Sequence, residues 1–289
     1  MLSIIISSYQ PNYYDQLVKN IDETIGNGFM YEMIPIWNPG LMNINKAYNL
    51  GAERAKFDYY LFLHEDIIFH TQNWGERLIT HLNQPNTGIV GIAGSSYVPA
   101  APCSWTVAEK YNSVNLLQGN KKNTSAFPIR TVKHNRNKVF AIDGVFMGIK
   151  KENFIKFNED LEGFHGYDLD FSLRSSRKFQ NYVIDDILIQ HFSGGNLDKA
   201  WLDANIKVKK NLGSDFNLKT DAETEKNVFE GFLYRYFDYY PVSIKNIFFT
   251  LKFYPLKKLD FKGHLILLKK YLNYLRYSKN LNENLKKKL

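Results

Sequence analysis

The segment Phe57-Asp58-Tyr59-Tyr60-Leu61-Phe62-Leu63-His64-Glu65-Asp66 constrains this chain most, because an apolar, β-prone run passes directly into an imidazole and two carboxylates. Ile67, Ile68 and Phe69 resume the apolar pattern, so the polar triplet is expected at the mouth of a buried strand. Ligand chemistry on open α/β sheets gathers at such strand ends, and these side chains are of the kind that hold a metal diphosphate. A solvated turn carrying two acids is the competing reading of the triplet by itself.

With 289 residues, the chain suffices for one large α/β domain or for one domain with a substantial appendage. A single cysteine, Cys103, rules out an internal disulfide and agrees with a reducing compartment, so the cytoplasm is expected. The start, Met1-Leu2-Ser3-Ile4-Ile5-Ile6, lacks the positive region and the apolar length of a secretory signal. No later stretch has the roughly 18 uninterrupted apolar residues of a membrane span, so a soluble or peripheral protein is expected. Residues 241–289 hold 12 Lys or Arg against Asp260 and Glu283, a local balance of +10 within a total of +8. The basicity therefore belongs to the carboxyl-terminal segment, not to the body that carries the acidic cluster.

Residues 2–7 read as a first strand, followed by the turn Ser7-Ser8-Tyr9-Gln10-Pro11-Asn12 and a helix to Ile25 with Asn12 as its cap. A second strand is expected over residues 31–37, closed by Asn38-Pro39-Gly40. Ile44, Ala47, Tyr48, Gly51 and Ala55 recur at helical spacing and lead into the strand that ends at His64. This alternation argues for a parallel sheet. A helix is expected over residues 74–82 and a glycine-rich buried strand over residues 88–94. The stretch 95–138 reads as a long connection, either a functional lid or a surface excursion with a short helix near residues 107–111.

Residues 139–149 are β-prone but interrupted by Asp143-Gly144. A desolvated, unpaired acid inside a strand is costly, so Asp143 is expected in a polar cleft or bulge, with an exposed strand edge as the alternative. Gly163-Phe164-His165-Gly166-Tyr167-Asp168-Leu169-Asp170 enters a helix with acids in its first turn, where the helix dipole favours them. Two positions apart, Asp168 and Asp170 point to opposite sides, so one can cap or pair while the other faces a pocket. Two short β-like pieces end at His191, before Phe192-Ser193-Gly194-Gly195. That position suits either a metal ligand or a structural histidine.

In its order of segments the chain resembles inverting glycosyltransferases of the GT-A type, family 2-like, in the bacterial branch with His-x-Asp in place of Asp-x-Asp. The resemblance covers roughly residues 1–215. It rests on Ser7-Ser8-Tyr9, Ala47-Tyr48-Asn49, Leu61-Phe62-Leu63-His64-Glu65-Asp66, the Gly163 to Asp170 loop and His191-Phe192-Ser193. It implies a Rossmann-like, mixed but mostly parallel sheet flanked by helices, over residues 1–220, with a mainly helical basic and aromatic extension over 221–289.

It also implies transfer of a hexosyl or N-acetylhexosaminyl group from a nucleotide-sugar donor, in all expectation a UDP-sugar. The implied acceptor is a glycan or lipid-linked acceptor of bacterial surface polysaccharide or lipopolysaccharide. By resemblance Asp66 and His191 hold a divalent metal, Mn2+ or Mg2+, and Asp168 is the catalytic base. Ser7, Tyr9, Asn38, Asn49, His64, Glu65 and Asp143 surround the nucleotide and donor sugar. Asn38 stands where many members carry an acid, and His64 takes the first acidic position of the usual signature.

From Phe229 onward aromatics and lysines interleave, with a final helix around residues 265–277. Such a segment docks on an anionic membrane surface, here the inner face of the cytoplasmic membrane, or caps the catalytic domain, or forms a dimer contact. No single-strand-binding motif points to nucleic acid. Two other readings stay open: a sugar nucleotidyltransferase, although residues 7–12 contain neither glycine nor arginine, and a non-catalytic glycan- or nucleotide-binding module.

Overall fold

The computed structural model describes residues 1–120 and 123–288. Lys121 and Lys122, inside the 95–138 stretch, and Leu289, at the end of the basic segment, lie outside the described residues. The chain forms two compact units, Met1–Tyr97 with Glu109–Asn196, and Val98–Ala108 with Leu197–Leu289.

Along the first unit run β1 (Leu2–Ser8), α1 (Pro11–Thr24), β2 (Tyr31–Trp37), α2 (Ile44–Arg54), β3 (Tyr59–Leu63), β4 (Ile67–Phe69), α3 (Trp74–Leu82), β5 (Thr87–Gly91) and β6 (Ala93–Ser95). There follow β7 (Asn112–Asn120), β8 (Asn123–Arg130), β9 (Arg136–Val139), β10 (Ala141–Ile142), β11 (Phe146–Lys150), α4 (Tyr167–Ser176), β12 (Gln180–Ile184) and β13 (Ile189–His191). The larger sheet has the order β2-β1-β3-β11-β5-β12-β9. β1 pairs in parallel with β2 and β3, and β12 with β5, while β11 and β9 run antiparallel to their neighbours. This is the mixed α/β sheet expected from the sequence. β1 is buried along nearly its whole length because both of its faces are covered. Ile5, Phe62, Met147 and Val183 meet Tyr48 of α2 and Phe171 of α4 in one core, where each fully buried apolar side chain contributes about 1.5–3 kcal/mol.

Several local expectations give way. The first helix starts at Pro11 behind Gln10, not behind Asn12, because proline presets the first helical φ. The 88–94 strand is two strands: Ile92 O accepts from Asn115 N (2.8 Å), so the chain leaves one sheet and continues in the other. About half of the 95–138 stretch is sheet, with β7 and β8 antiparallel and β7 parallel to β13, while a 3-10 turn at Glu109–Tyr111 falls where the short helix is expected. Its polar composition hides strands whose order comes from pairing more than from burial. Asp143-Gly144 fall in the turn between β10 and β11.

In the second unit are α5 (Lys199–Leu212), α6 (Ala222–Tyr239), α7 (Ile244–Leu251), α8 (Phe261–Arg276) and α9 (Ser278–Lys288). Asp198, Asp221, Ser243 and Asp260 each cap the helix that follows by accepting a backbone N–H. Phe229, Phe232, Leu233, Tyr236, Phe253 and Leu267 form its core. Much of the aromatic richness of the segment is thus interior, although Tyr234 and Phe248 are exposed. Glu225 is fully buried, accepting from Ala100 N (2.8 Å) and pairing with Lys258 (3.2 Å). Among the described residues no helix is long and apolar enough to cross a membrane.

Candidate active site

Because β1, β2 and β3 are parallel, their carboxyl ends open on one edge of the sheet. Ser7 and Tyr9, then Asn38, Pro39 and Gly40, then His64, Glu65 and Asp66 follow those ends, and together with Phe192, Ser193 and Gly194 they line a cavity of about 770 Å³. A cavity of this size takes a nucleotide-sized ligand. Tyr9 is half exposed at 51%, so its ring is available at the mouth.

The His-Glu-Asp triplet divides its work. The buried Glu65 carboxylate accepts from Ser8 Oγ (2.6 Å), Tyr9 N (3.1 Å) and Gln10 N (3.2 Å). It thereby satisfies backbone donors just ahead of α1 and fixes the loop that carries Tyr9. Asp66 instead meets histidines. Its Oδ1 lies 3.5 Å from His191 Nε2 and 4.0 Å from His64 Nδ1. β13 pairs antiparallel with β4, setting His191 opposite Ile67, and Phe192 N donates to Asp66 O (3.1 Å). Ligand atoms of His64, Asp66 and His191 all lie within 4.8 Å of one another. Burial works to raise the Asp66 pKa, but His191, His64 and Ser193 outweigh it and hold the carboxyl well below its ordinary value.

One carboxylate and two imidazoles fit a divalent cation. His64 offers Nδ1 toward Asp66 while its Nε2 sits 2.7 Å from the Tyr167 hydroxyl, the arrangement in which an outer partner orients a ligating imidazole. Burial, followed by Tyr48 and then the nearby acids, pushes the Tyr167 pKa well above the ordinary tyrosine value, so its hydroxyl stays protonated.

Tyr167 opens α4, and the residue before it, Gly166, has φ 72°, a left-handed conformation suited to glycine. Next in sequence, Asp168 accepts from Gly144 N (3.2 Å) and Leu169 N (2.8 Å). Asp143 Oδ1 accepts from Val145 N (2.8 Å) in the same turn. Burial and then repulsion from Asp143 push the Asp168 pKa up to about 7, against the pull of the Leu169 and Gly144 N–H groups. Gly144 admits no side chain, since a Cβ there would lie 1.9 Å from the Tyr167 oxygen. Asp170, on the other side of the helix, pairs with Arg174 (2.6 Å).

Of the residues singled out from sequence, Ser7, Tyr9, Asn38, His64, Glu65 and Asp66 line one cavity. His191 joins them through Asp66. Asp143, in the β10–β11 turn, and Asp168, in the first turn of α4, meet beside Tyr167, which bonds His64, and neither lines the cavity. The amide of Asn38 is engaged with Met42, donating to its carbonyl (3.0 Å) and accepting from its N–H (2.9 Å). Asn49 does not line the cavity. Its amide donates to Phe157 O (3.0 Å) and Glu159 Oε1 (2.9 Å) and accepts from Phe157 N (2.8 Å), bracing α2 against the 157–159 segment. Sequence reasoning assigned no role to Tyr167, Ser193 or Gly144. Their signals were adjacency to Asp168, the place two beyond His191, and a glycine beside an acid in a β-prone run.

Residues 3–230 match the family described as "Glycosyltransferase like family". No curated protein matches the chain. Among solved structures, S. aureus TarS 1-349 in complex with UDP is similar at TM-score 0.54 and 11% identity, over 98% of this chain and 88% of that one. A second S. aureus TarS structure gives TM-score 0.50 and 13% identity over 98% and 53%. GalNAc-T7 with UDP, GalNAc and Mn2+ gives TM-score 0.51 and 11% identity over 73% of this chain and 47% of that one. The matched region spans about half the length of the GalNAc-T7 chain. At such identities the likeness is one of fold, the GT-A arrangement of sheet and helices.

Proposed function

From the premise that this chain belongs to the glycosyltransferase-like family, we propose that it is a metal-dependent, inverting glycosyltransferase using a UDP-sugar. The observation that carries this reading is the cavity at the β1, β2 and β3 ends, with His64 and Asp66 on its wall and His191 behind Asp66 completing the cluster. The UDP in the TarS structure and the UDP, GalNAc and Mn2+ in the GalNAc-T7 structure support a uridine donor.

Asp66, His191 and His64 would hold the cation, and imidazole donors favour Mn2+ over Mg2+. When bound there, the cation supplies charge neutralisation for a diphosphate. Tyr9 offers a ring face to the base, and Ser7 a hydroxyl to the ribose. Asp168, ionised, takes the proton of the acceptor hydroxyl as that oxygen bonds to the anomeric carbon and the bond from that carbon to the diphosphate breaks. Burial first, and then repulsion from Asp143, keep the base poised near neutrality. The transferred group is a hexosyl or N-acetylhexosaminyl residue and the acceptor a glycan of bacterial surface polysaccharide or lipopolysaccharide, made on the cytoplasmic side.

The test is thermal-shift screening of a sugar-nucleotide panel with Mn2+ or with chelator, followed by UDP-release assays on glycan acceptors. Native-site binding raises apparent stability. Stabilisation by UDP-sugars that needs Mn2+ is expected, and no shift with any sugar nucleotide would overturn the reading.

A further inference from the structure

α8 has two apolar faces. One is interior, with Leu267 and Tyr271 buried in the core of the second unit. The other is outward: Phe261, Leu265, Leu268, Leu272 and Leu275 are between 46% and 78% exposed. Their spacing of four, three, four and three residues makes one continuous stripe along the helix. Lys262, Lys269 and Arg276, each exposed and seven residues apart, run beside that stripe, roughly 80° further round the helix at 3.6 residues per turn. α7 repeats the pattern in small, with Ile244, Phe248 and Leu251 exposed at spacings of four and three.

A four-three stripe fits either a second copy of the chain or an apolar phase. Charge decides between them. Residues 241–289 carry a net +10, so two copies meeting along α8 would bring like charges together, whereas an anionic surface is complementary. A cavity of about 450 Å³ in the same unit is lined by Lys209, Lys210, Lys252, Lys257 and Lys258, with the exposed Leu256 also on its wall. Lys209 and Lys258 are engaged with Pro99 O and Glu225, which leaves Lys210, Lys252 and Lys257 beside the exposed leucine to suit phosphate groups at an apolar boundary.

We infer that the second unit docks on an anionic phospholipid surface, α8 lying in the interface with its leucine stripe among the acyl chains and its basic flank on the phosphates. A helix too short and too charged to cross the bilayer binds this way through buried apolar area plus attraction to anionic lipid. The inference does not depend on the sugar-transfer reading.

The full chain is sedimented with phosphatidylcholine vesicles and with vesicles that also contain phosphatidylglycerol, at low and at raised salt. Pelleting only with the anionic vesicles, weakened by salt, is expected. Leu268→Asp with Leu272→Asp, and separately Lys262→Glu with Lys269→Glu, should each lower the partition coefficient at least about tenfold while circular dichroism stays unchanged. The charge pair lies wholly at the surface and serves if the leucine pair fails to fold. Equal pelleting on both vesicle types, unchanged pelleting of the charge variant, or a dimer in light scattering that the leucine pair dissolves would overturn the inference.

Discussion

His64 Nε2 lies 2.7 Å from the hydroxyl of Tyr167, so one hydrogen bond joins the β3–β4 connection, which supplies two members of the candidate metal cluster, to the helix that carries Asp168. Tyr167→Phe removes only that oxygen. Outer partners of ligating imidazoles are worth about 10–100-fold in metal affinity. The Mn2+ concentration for half-maximal UDP-sugar turnover should rise by at least the lower end of that range. An unaltered Mn2+ titration would show that the bond orients nothing.

Gly144→Ala drives a methyl to 1.9 Å from the same oxygen. Overpacking of this kind costs about 1–3 kcal/mol, and the turn that donates to Asp168 has to move. A lower urea midpoint and loss of transfer are expected together, and a variant with wild-type melting and turnover contradicts the packing.

A base at Asp168 predicts a pH profile. With its pKa near 7, kcat/KM should rise through about pH 7 and level off above it, since the base works ionised. Asp143→Asn removes one of the two causes of the upward shift, so the midpoint should move to lower pH. Asp168→Asn should abolish transfer while UDP binding, followed by calorimetry, survives.

The same shift has a stability consequence. The folded Asp168 holds its proton at pH values where the unfolded one, with an ordinary value of 3.8, has lost it. Its favourable contribution is present below about pH 4 and lost as pH rises toward 7. Chemical denaturation of Asp168→Asn should show a flatter stability curve across that window. A wild-type slope retained in the variant would assign the titration elsewhere.

Asp66 and Asn49 should separate binding from bracing. Asp66→Ala is expected to make UDP affinity in Mn2+ equal to that in chelator. Asn49→Ala strands the N–H and C=O of Phe157, at about 1–3 kcal/mol for each buried group left unsatisfied. Melting temperature should fall with donor KM unchanged, whereas a raised KM at normal stability would return Asn49 to the donor site.

Much of this was legible in the chain because β1 and β3 are buried, largely apolar runs with polar ends, and in β2 only Ile34 and Ile36, two positions apart, are buried. Trp74–Leu82 and Tyr31–Trp37 fall where the pattern places them. β7 and β8 were not legible, since Asn112, Ser113, Asn115 and Gln118 occupy strand positions whose order comes from partners distant in sequence. At the site, residue type pointed to Asp66 and His191. The Tyr167 link was not legible, because it depends on how α4 is set beside the end of β3. The bonds of Asn49 to Phe157 were not legible either, because an amide near a site and an amide holding a backbone look alike in sequence.

The second unit is built from two separated stretches, Val98–Ala108 and Leu197–Leu289. Within it the buried Lys209 donates to Pro99 O (2.6 Å) and Glu225 accepts from Ala100 N (2.8 Å). A ribosome therefore emits one strip of this unit about a hundred residues before the rest. Until α5 and α6 emerge, that strip waits without the ammonium and carboxylate that its backbone requires, and a chain cut after Asn196 would leave it waiting for good.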